Sequence, residues 1–205
     1  MLETVSEELL AYQESLLKNY QEVNHKVKSG SLVFAGDSII EFYPLKKYLG
    51  RERSIYNRGI AGIDSNWLLK NVDDHICDLN PEKVFILIGT NDIGLGSSNR
   101  DIIKNIVDMV ASIKAESRET KIVLLSVLPV SDQEKFKGTV KVRTNEVIDQ
   151  LNADIAAIPG IEFIDINSIL KDSHNSLDEA YTKDGLHLNQ KGYQKISESL
   201  ALFIS

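Results

Sequence analysis

A single cysteine, Cys77, in a chain of 205 residues leaves no partner for an intramolecular disulfide and suits a reducing compartment. Its apolar-patterned surroundings read as those of a buried structural thiol rather than a nucleophile. No run of about eighteen apolar residues is present to span a membrane. Residues 1–20 carry Glu3, Glu7, Glu8 and Glu14 where a secretory leader would need a basic start and an apolar core, so a cytoplasmic protein is expected. Basic residues are outnumbered: 23 Lys and Arg against 30 Asp and Glu give a formal net charge of −7, which argues against a nucleic-acid partner. Repeats, low-complexity tracts and linkers are missing too, so residues 1–205 are expected to form one domain.

What is present is ordinary globular composition, 42% hydrophobic and 26% charged, arranged in two periodicities. From Ser6 to Lys28, Leu9, Tyr12, Leu16, Tyr20, Val23 and Val27 recur at intervals of three and four, which predicts an amphipathic helix packed on the domain within residues 1–29. Ser29 and Gly30 end it, the glycine suiting a left-handed cap. Short apolar runs follow at 32–35, 54–56, 84–88, 122–127 and 161–164, separated by helical patterns at 39–48, 65–76, 100–116, 140–156 and 190–203. Strand and helix in alternation predict an α/β protein with a parallel sheet, and the doubly apolar runs VFILIG and IVLLSVL predict strands covered on both faces. With a three-layer α/β/α, flavodoxin-like strand order of 2-1-3-4-5, ligands would bind outside the carboxyl ends of the first and third strands. The segments leaving there are Gly36-Asp37-Ser38 and Gly89-Thr90-Asn91-Asp92, with NRGIAGID (57–64) between them.

Ser38 invites two readings: the N-cap of the following helix, or a nucleophile. A serine hydroxyl needs a base, a group to orient that base, and donors for the oxyanion it creates. KDGLHLNQKGY supplies the first two as Asp184 and His187, three residues apart. Donors are available in the Ser38 backbone N–H at a helix start, a backbone N–H of Gly62 and the side-chain amide of Asn91. Asp37 reads as a structural turn residue and Asn189 as the cap of the last helix. His25, His75 and His174 lack ligand-spaced partners, so no metal site is expected; Trp67 reads as core.

FAGDSI, NRGIAG, IGTND and DGLHLN stand in that order between residues 34 and 189, each after an expected strand or before the final helix. This arrangement resembles the SGNH (GDSL-type) hydrolases, and within them the bacterial acylhydrolases related to the catalytic subunits of platelet-activating-factor acetylhydrolase. Ile39 replaces the leucine of the family's name. The resemblance implies a serine esterase or lipase-like acylhydrolase working without metal or cofactor: Ser38 as nucleophile, Asp184 and His187 completing the triad, and Ser38, Gly62 and Asn91 forming the oxyanion hole, with Gly59 the alternative to Gly62. It implies a small-molecule, lipid or sugar ester substrate with a short, acetyl-like acyl group. Carbohydrate O-acetylesterase, lysophospholipase or thioesterase activity are the alternatives within the class, and a catalytically silent binding module the alternative outside it. The Gly-x-Ser-x-Gly elbow of α/β-hydrolases is absent around Ser38. Substrate choice is expected from segments 93–100, 130–140 and 172–183, which show no lid for a long acyl chain, while homodimer formation through the first helix stays open.

Overall fold

In the computed structural model, which describes residues 1–204, each apolar run forms a strand and the amphipathic segments form the crossovers. A first helix, α1 (Glu7–Val23), precedes β1 (Leu32–Gly36); α2 (Ser38–Glu41) and α3 (Leu45–Leu49) lead to β2 (Ile55–Gly59). Next come α4 (Ser65–Lys70), α5 (Val72–His75) and β3 (Lys83–Leu87), then α6 (Thr90–Leu95), α7 (Asn99–Glu116) and β4 (Lys121–Leu125). The chain continues through α8 (Lys137–Val140), α9 (Asn145–Ala156), β5 (Glu162–Ile164) and α10 (Gln190–Leu200). The sheet is parallel throughout and ordered β2-β1-β3-β4-β5, the expected doubly wound arrangement.

Alternation along the strands divides the core in two. Val33, Ala35, Val84, Ile86, Ile122 and Leu124 face one side, where they cluster with Ile102, Ile106 and Met109 of α7 and Leu151 of α9. Phe34, Phe85, Leu87, Val123 and Leu125 face the other, against Ile39 and Ile40 of α2, Leu45 of α3, and Ile196 and Leu200 of α10. Phe34 and Phe85 are register partners on β1 and β3, and their rings stack at a centroid separation of 4.4 Å. No helix among the described residues is long and apolar enough to cross a membrane.

Several expected helices are broken, each for a local reason. Residues 39–48 divide at Pro44, which lacks an N–H and disfavours helical backbone at Tyr43 before it. Residues 65–76 divide at Asn71, whose side chain donates to the carbonyl of Trp67 at 2.9 Å and competes with the helical ladder. In the segment 140–156, Val140 ends α8 and the long helix begins only at Asn145, where Thr144 caps α9 by accepting the Val147 N–H. Helix α1 stops at Val23 with Asn24 as C-cap, so Gly30, at φ +74°, belongs to the turn entering β1 and is not the helix cap. Tyr12 and Val23 of the expected apolar stripe are exposed, while Gln13 is buried. Helix α6 has no apolar period of its own and was not expected.

The strand order reverses at β1, so its carboxyl end, flanked by those of β2 and β3, opens the crevice of the fold. Close approach is needed there. A Cβ on Gly59, at the end of β2, would lie 2.0 Å from the backbone nitrogen of Glu41 in α2. Gly59→Ala is therefore expected to lower stability by about 1–3 kcal/mol through overpacking, read as a shift in the urea midpoint; a midpoint equal to wild type would show that α2 can retreat without loss.

Candidate active site

Ser38 is delivered by β1 and stands first in α2, with Asp37 before it as N-cap. Asp37 Oδ1 accepts the Ile39 N–H at 2.9 Å, so capping is done by the aspartate and the Ser38 hydroxyl is left free of that task. The cap reading of Ser38 is corrected on this point. Asn57 of β2 anchors the other end of α2: its Nδ2 donates to the Ile40 carbonyl at 2.6 Å and its Oδ1 accepts the Gly59 N–H at 2.8 Å.

His187 arrives from a turn before α10. Ser38 Oγ lies 3.1 Å from His187 Nε2, and His187 Nδ1 lies 2.7 Å from Asp184 Oδ2. Asp184 Oδ1 also accepts the backbone N–H groups of His187 at 2.7 Å and Leu186 at 3.1 Å. Partial burial pushes the Asp184 carboxyl up, but these hydrogen bonds outweigh it and hold the group below its ordinary value. Thr182 secures the turn, accepting the Gly185 N–H at 2.9 Å and donating to the His187 carbonyl at 2.8 Å. Phe42 flanks the imidazole, with ring centroids 6.0 Å apart. Asn189 accepts the Gly192 N–H and caps α10.

Ser38, Gly62, Asn91 and His187 line one cavity of about 470 Å³. The Gly62 N–H donates to no protein acceptor among the described residues, and Ser38, at the first helical position, has no intrahelical acceptor for its own. Asn91 Nδ2 gives one hydrogen to the Ile63 carbonyl at 2.9 Å, which leaves a second for the cavity. Gly59, the alternative to Gly62, does not line the cavity, and its N–H is taken by Asn57. Three donors and a hydroxyl–imidazole–carboxylate chain thus share one opening, an arrangement suited to attack on a carbonyl and stabilisation of the resulting oxyanion.

The walls differ from expectation. Residues 172–183 contribute none of the lining, although Thr182 supports the His187 turn; Leu95, Gly138, Thr139 and Lys141 do line it. The unexpected wall is the segment ahead of α1, through Glu3, Thr4 and Val5, together with Leu9. Glu3 is tied down by its N–H to the Gly94 carbonyl at 2.8 Å and by an ion pair to Arg143 at 2.7 Å. Arg143 is buried, donates through Nε to the Thr90 carbonyl at 2.8 Å, and so joins the N-terminal segment to the start of α6. Burial raises the Glu3 carboxyl, but Arg143 and Lys141 hold it below its usual value.

The remaining polar candidates lie elsewhere. His75 is fully buried with Nε2 on the Arg58 carbonyl at 2.6 Å, and burial lowers its pKa to about 4. Trp67 packs on the core with its ring edge-on to His75. Cys77 is half-buried rather than fully buried, its thiol pushed up to about 12 by burial and nearby carboxylates. Among the described residues, no three or more His, Cys, Asp or Glu gather in a group that could hold a metal ion.

Comparison with known proteins gives three concordant results. The model of the GDSL-like lipase/acylhydrolase family matches residues 34–195. A solved protein of Streptococcus pneumonia, described as a platelet activating factor, is 37% identical with a TM-score of 0.91, over 96% of this chain and 94% of its own. An acylhydrolase structure from Bacteroides fragilis NCTC 9343 is 28% identical with a TM-score of 0.80, covering 92% and 95% of the two chains. Among curated proteins, the N-acylneuraminate cytidylyltransferase of Escherichia coli O18:K1:H7 is 30% identical over 193 residues; the match takes in 89% of this chain but 44% of that protein.

Asp37 beside Ser38 carries a stability signature. Burial raises its pKa to about 7, and its Oδ2 is buried without a partner. A carboxyl raised from 3.8 binds more protons folded than unfolded between about pH 4 and 7, so its contribution to stability falls as pH rises through that window. Asp37→Asn keeps a capping oxygen and never ionises. Its stability relative to wild type should therefore rise from pH 4 to pH 8 in urea titrations; a difference independent of pH would mean that Asp37 is ionised throughout.

Proposed function

The chain belongs to the GDSL-like lipase/acylhydrolase family, and we propose that it is an ester-bond hydrolase that cleaves short-acyl carboxylic esters through an acyl-enzyme on Ser38. The observation that carries this reading is the unbroken path from Ser38 Oγ to His187 to Asp184, at 3.1 and 2.7 Å, opening into a cavity with unclaimed N–H groups.

Neutral His187 accepts the Ser38 proton at Nε2 as Oγ bonds to the ester carbon. Asp184 stays ionised, holds Nδ1–H and stabilises the imidazolium. The carbonyl oxygen, now negative, is met by the N–H groups of Ser38 and Gly62 and by Asn91 Nδ2. Collapse of the tetrahedral species breaks the bond to the alcohol oxygen, which leaves with the proton from His187. Water then gives a proton to the same nitrogen while bonding to the acyl carbon, and the acid departs as Ser38 recovers its hydrogen.

The cavity supports the short acyl group. Its apolar wall of Val5, Leu9 and Leu95 runs up to Glu3 and Lys141, and a long chain would have to strip water from those charges. Against p-nitrophenyl esters from acetyl to palmitoyl, kcat/KM should be highest at the short end; highest turnover of palmitoyl would overturn the assignment of acyl length. Acetylated sugars and lysophospholipids, assayed in parallel, distinguish the alcohol.

Ser38→Ala and His187→Ala should each lower kcat on the order of 10³-fold or more, and Asn91→Ala about 10²- to 10³-fold. A fluorophosphonate should label wild type and leave Ser38→Ala unlabelled. Labelling that survives the substitution would place the nucleophile elsewhere, and a wild type that neither labels nor hydrolyses would leave a binding module.

A further inference from the structure

Three side chains of α1 lie on the loop that bears Gly62. Tyr20 donates its hydroxyl to the Gly59 carbonyl at 2.9 Å, and Gln13 Nε2 donates to the Ala61 carbonyl at 3.0 Å. Tyr12 donates to Glu41, whose other carboxylate oxygen accepts the Ala61 N–H at 2.5 Å. Gln13 is only 2% exposed and is the one buried residue of α1, a polar group on a face otherwise made of half-buried apolar side chains.

The Ala61 carbonyl and the Gly62 N–H belong to the same planar peptide, so holding one aims the other in the opposite direction. That peptide is the centre of a turn, Ile60 to Ile63, closed by the Ile63 N–H on the Ile60 carbonyl at 3.5 Å. Gly62 has φ +78°, and positive φ at the third position of a turn is the mark of type II. Turning the central peptide over converts type II to type I, and Ala-Gly accepts either. The flip would carry the Gly62 N–H away from its present direction and take the Ala61 carbonyl from Gln13. Local sequence therefore leaves the direction of this N–H open, and the contact that decides it comes from 48 residues away.

We propose that Gln13 is a positioning residue for the reaction: its amide locks the Ala61–Gly62 peptide in the type II orientation and so keeps the Gly62 N–H aimed at the oxyanion. The role rests on the acyl-enzyme reading above. Leu9, one turn earlier on α1, closes the turn from the same side, since a Cβ on Gly62 would lie 2.7 Å from its Cδ2.

The test uses Gln13→Met, which preserves length and removes the donor, and Gln13→Asn, which keeps an amide but is one methylene too short. Hydrolysis of p-nitrophenyl acetate by either folded variant should show kcat lower by roughly 10- to 100-fold with KM within about twofold, the pattern of an interaction made in the transition state. In wild type labelled with a fluorophosphonate, the amide proton of Gly62 should move downfield on bonding to the phosphonyl oxygen; in the labelled variants that shift should be lost. A folded variant with wild-type kcat, or a labelled variant with the Gly62 shift intact, overturns the proposal and leaves the acyl-enzyme in place. Failure of wild type itself to label removes both.

Discussion

The hydrogen bond from the Ile39 N–H to Asp37 Oδ1 settles which oxygen at the carboxyl end of β1 serves the helix and which is left to meet His187. Were Ser38 the cap, its oxygen would be occupied by a backbone N–H and turned away from His187. With Asp37 in that position, Ser38 becomes the first helical residue, its hydroxyl meets Nε2, and its own N–H faces outward among the orphan donors of the helix start. The arrangement places the Asp37 carboxyl in a site that buries it fully, which is why the group is held so far from its ordinary ionisation. It also requires α2 to sit hard against β2, which Asn57 and the absent side chain of Gly59 make achievable.

Around that point the site is assembled from both outer layers. Helix α10 and the turn before it approach from one side of the sheet and present His187 and Asp184. Helix α1 approaches the β2 exit and holds its loop by hydrogen bonds to Gly59 and Ala61. Helix α6 carries Asn91, and buried Arg143 joins the start of α6 to Glu3. Buried polar groups are thus concentrated where strands end, and nearly all are paired, as burial at low dielectric demands.

Much of this was legible. Strands buried on both faces announce themselves as unbroken apolar runs, and their alternation with longer helical patterns led to the parallel sheet, while its order was taken from the flavodoxin-like arrangement. Ser38, Gly62, Asn91, Asp184 and His187 could be selected because each stands in a short block at a strand exit or before the last helix; the structure brings Ser38, Gly62, Asn91 and His187 to one cavity, with Asp184 behind His187. Helix integrity was less readable: Pro44 and Asn71 interrupt segments whose apolar spacing continues undisturbed. Glu3, Gln13 and Arg143 were not legible at all. A buried polar residue looks in sequence like any solvated one, because its burial is decided by what folds over it. Gln13 shares a face with Leu9 and Leu16, and only the position of the Ala61 carbonyl turns that face into a clamp.

Ser38 and His187 are 149 residues apart. During synthesis at about 5–20 residues per second, Ser38 would precede His187 by roughly 7 to 30 s. Throughout that interval β1 and α2 exist as sequence, yet the hydroxyl has no imidazole beside it. On the mechanism proposed above, ester cleavage therefore requires the turn before α10 to be in place beside Ser38, and the appearance of activity would report that this turn has docked.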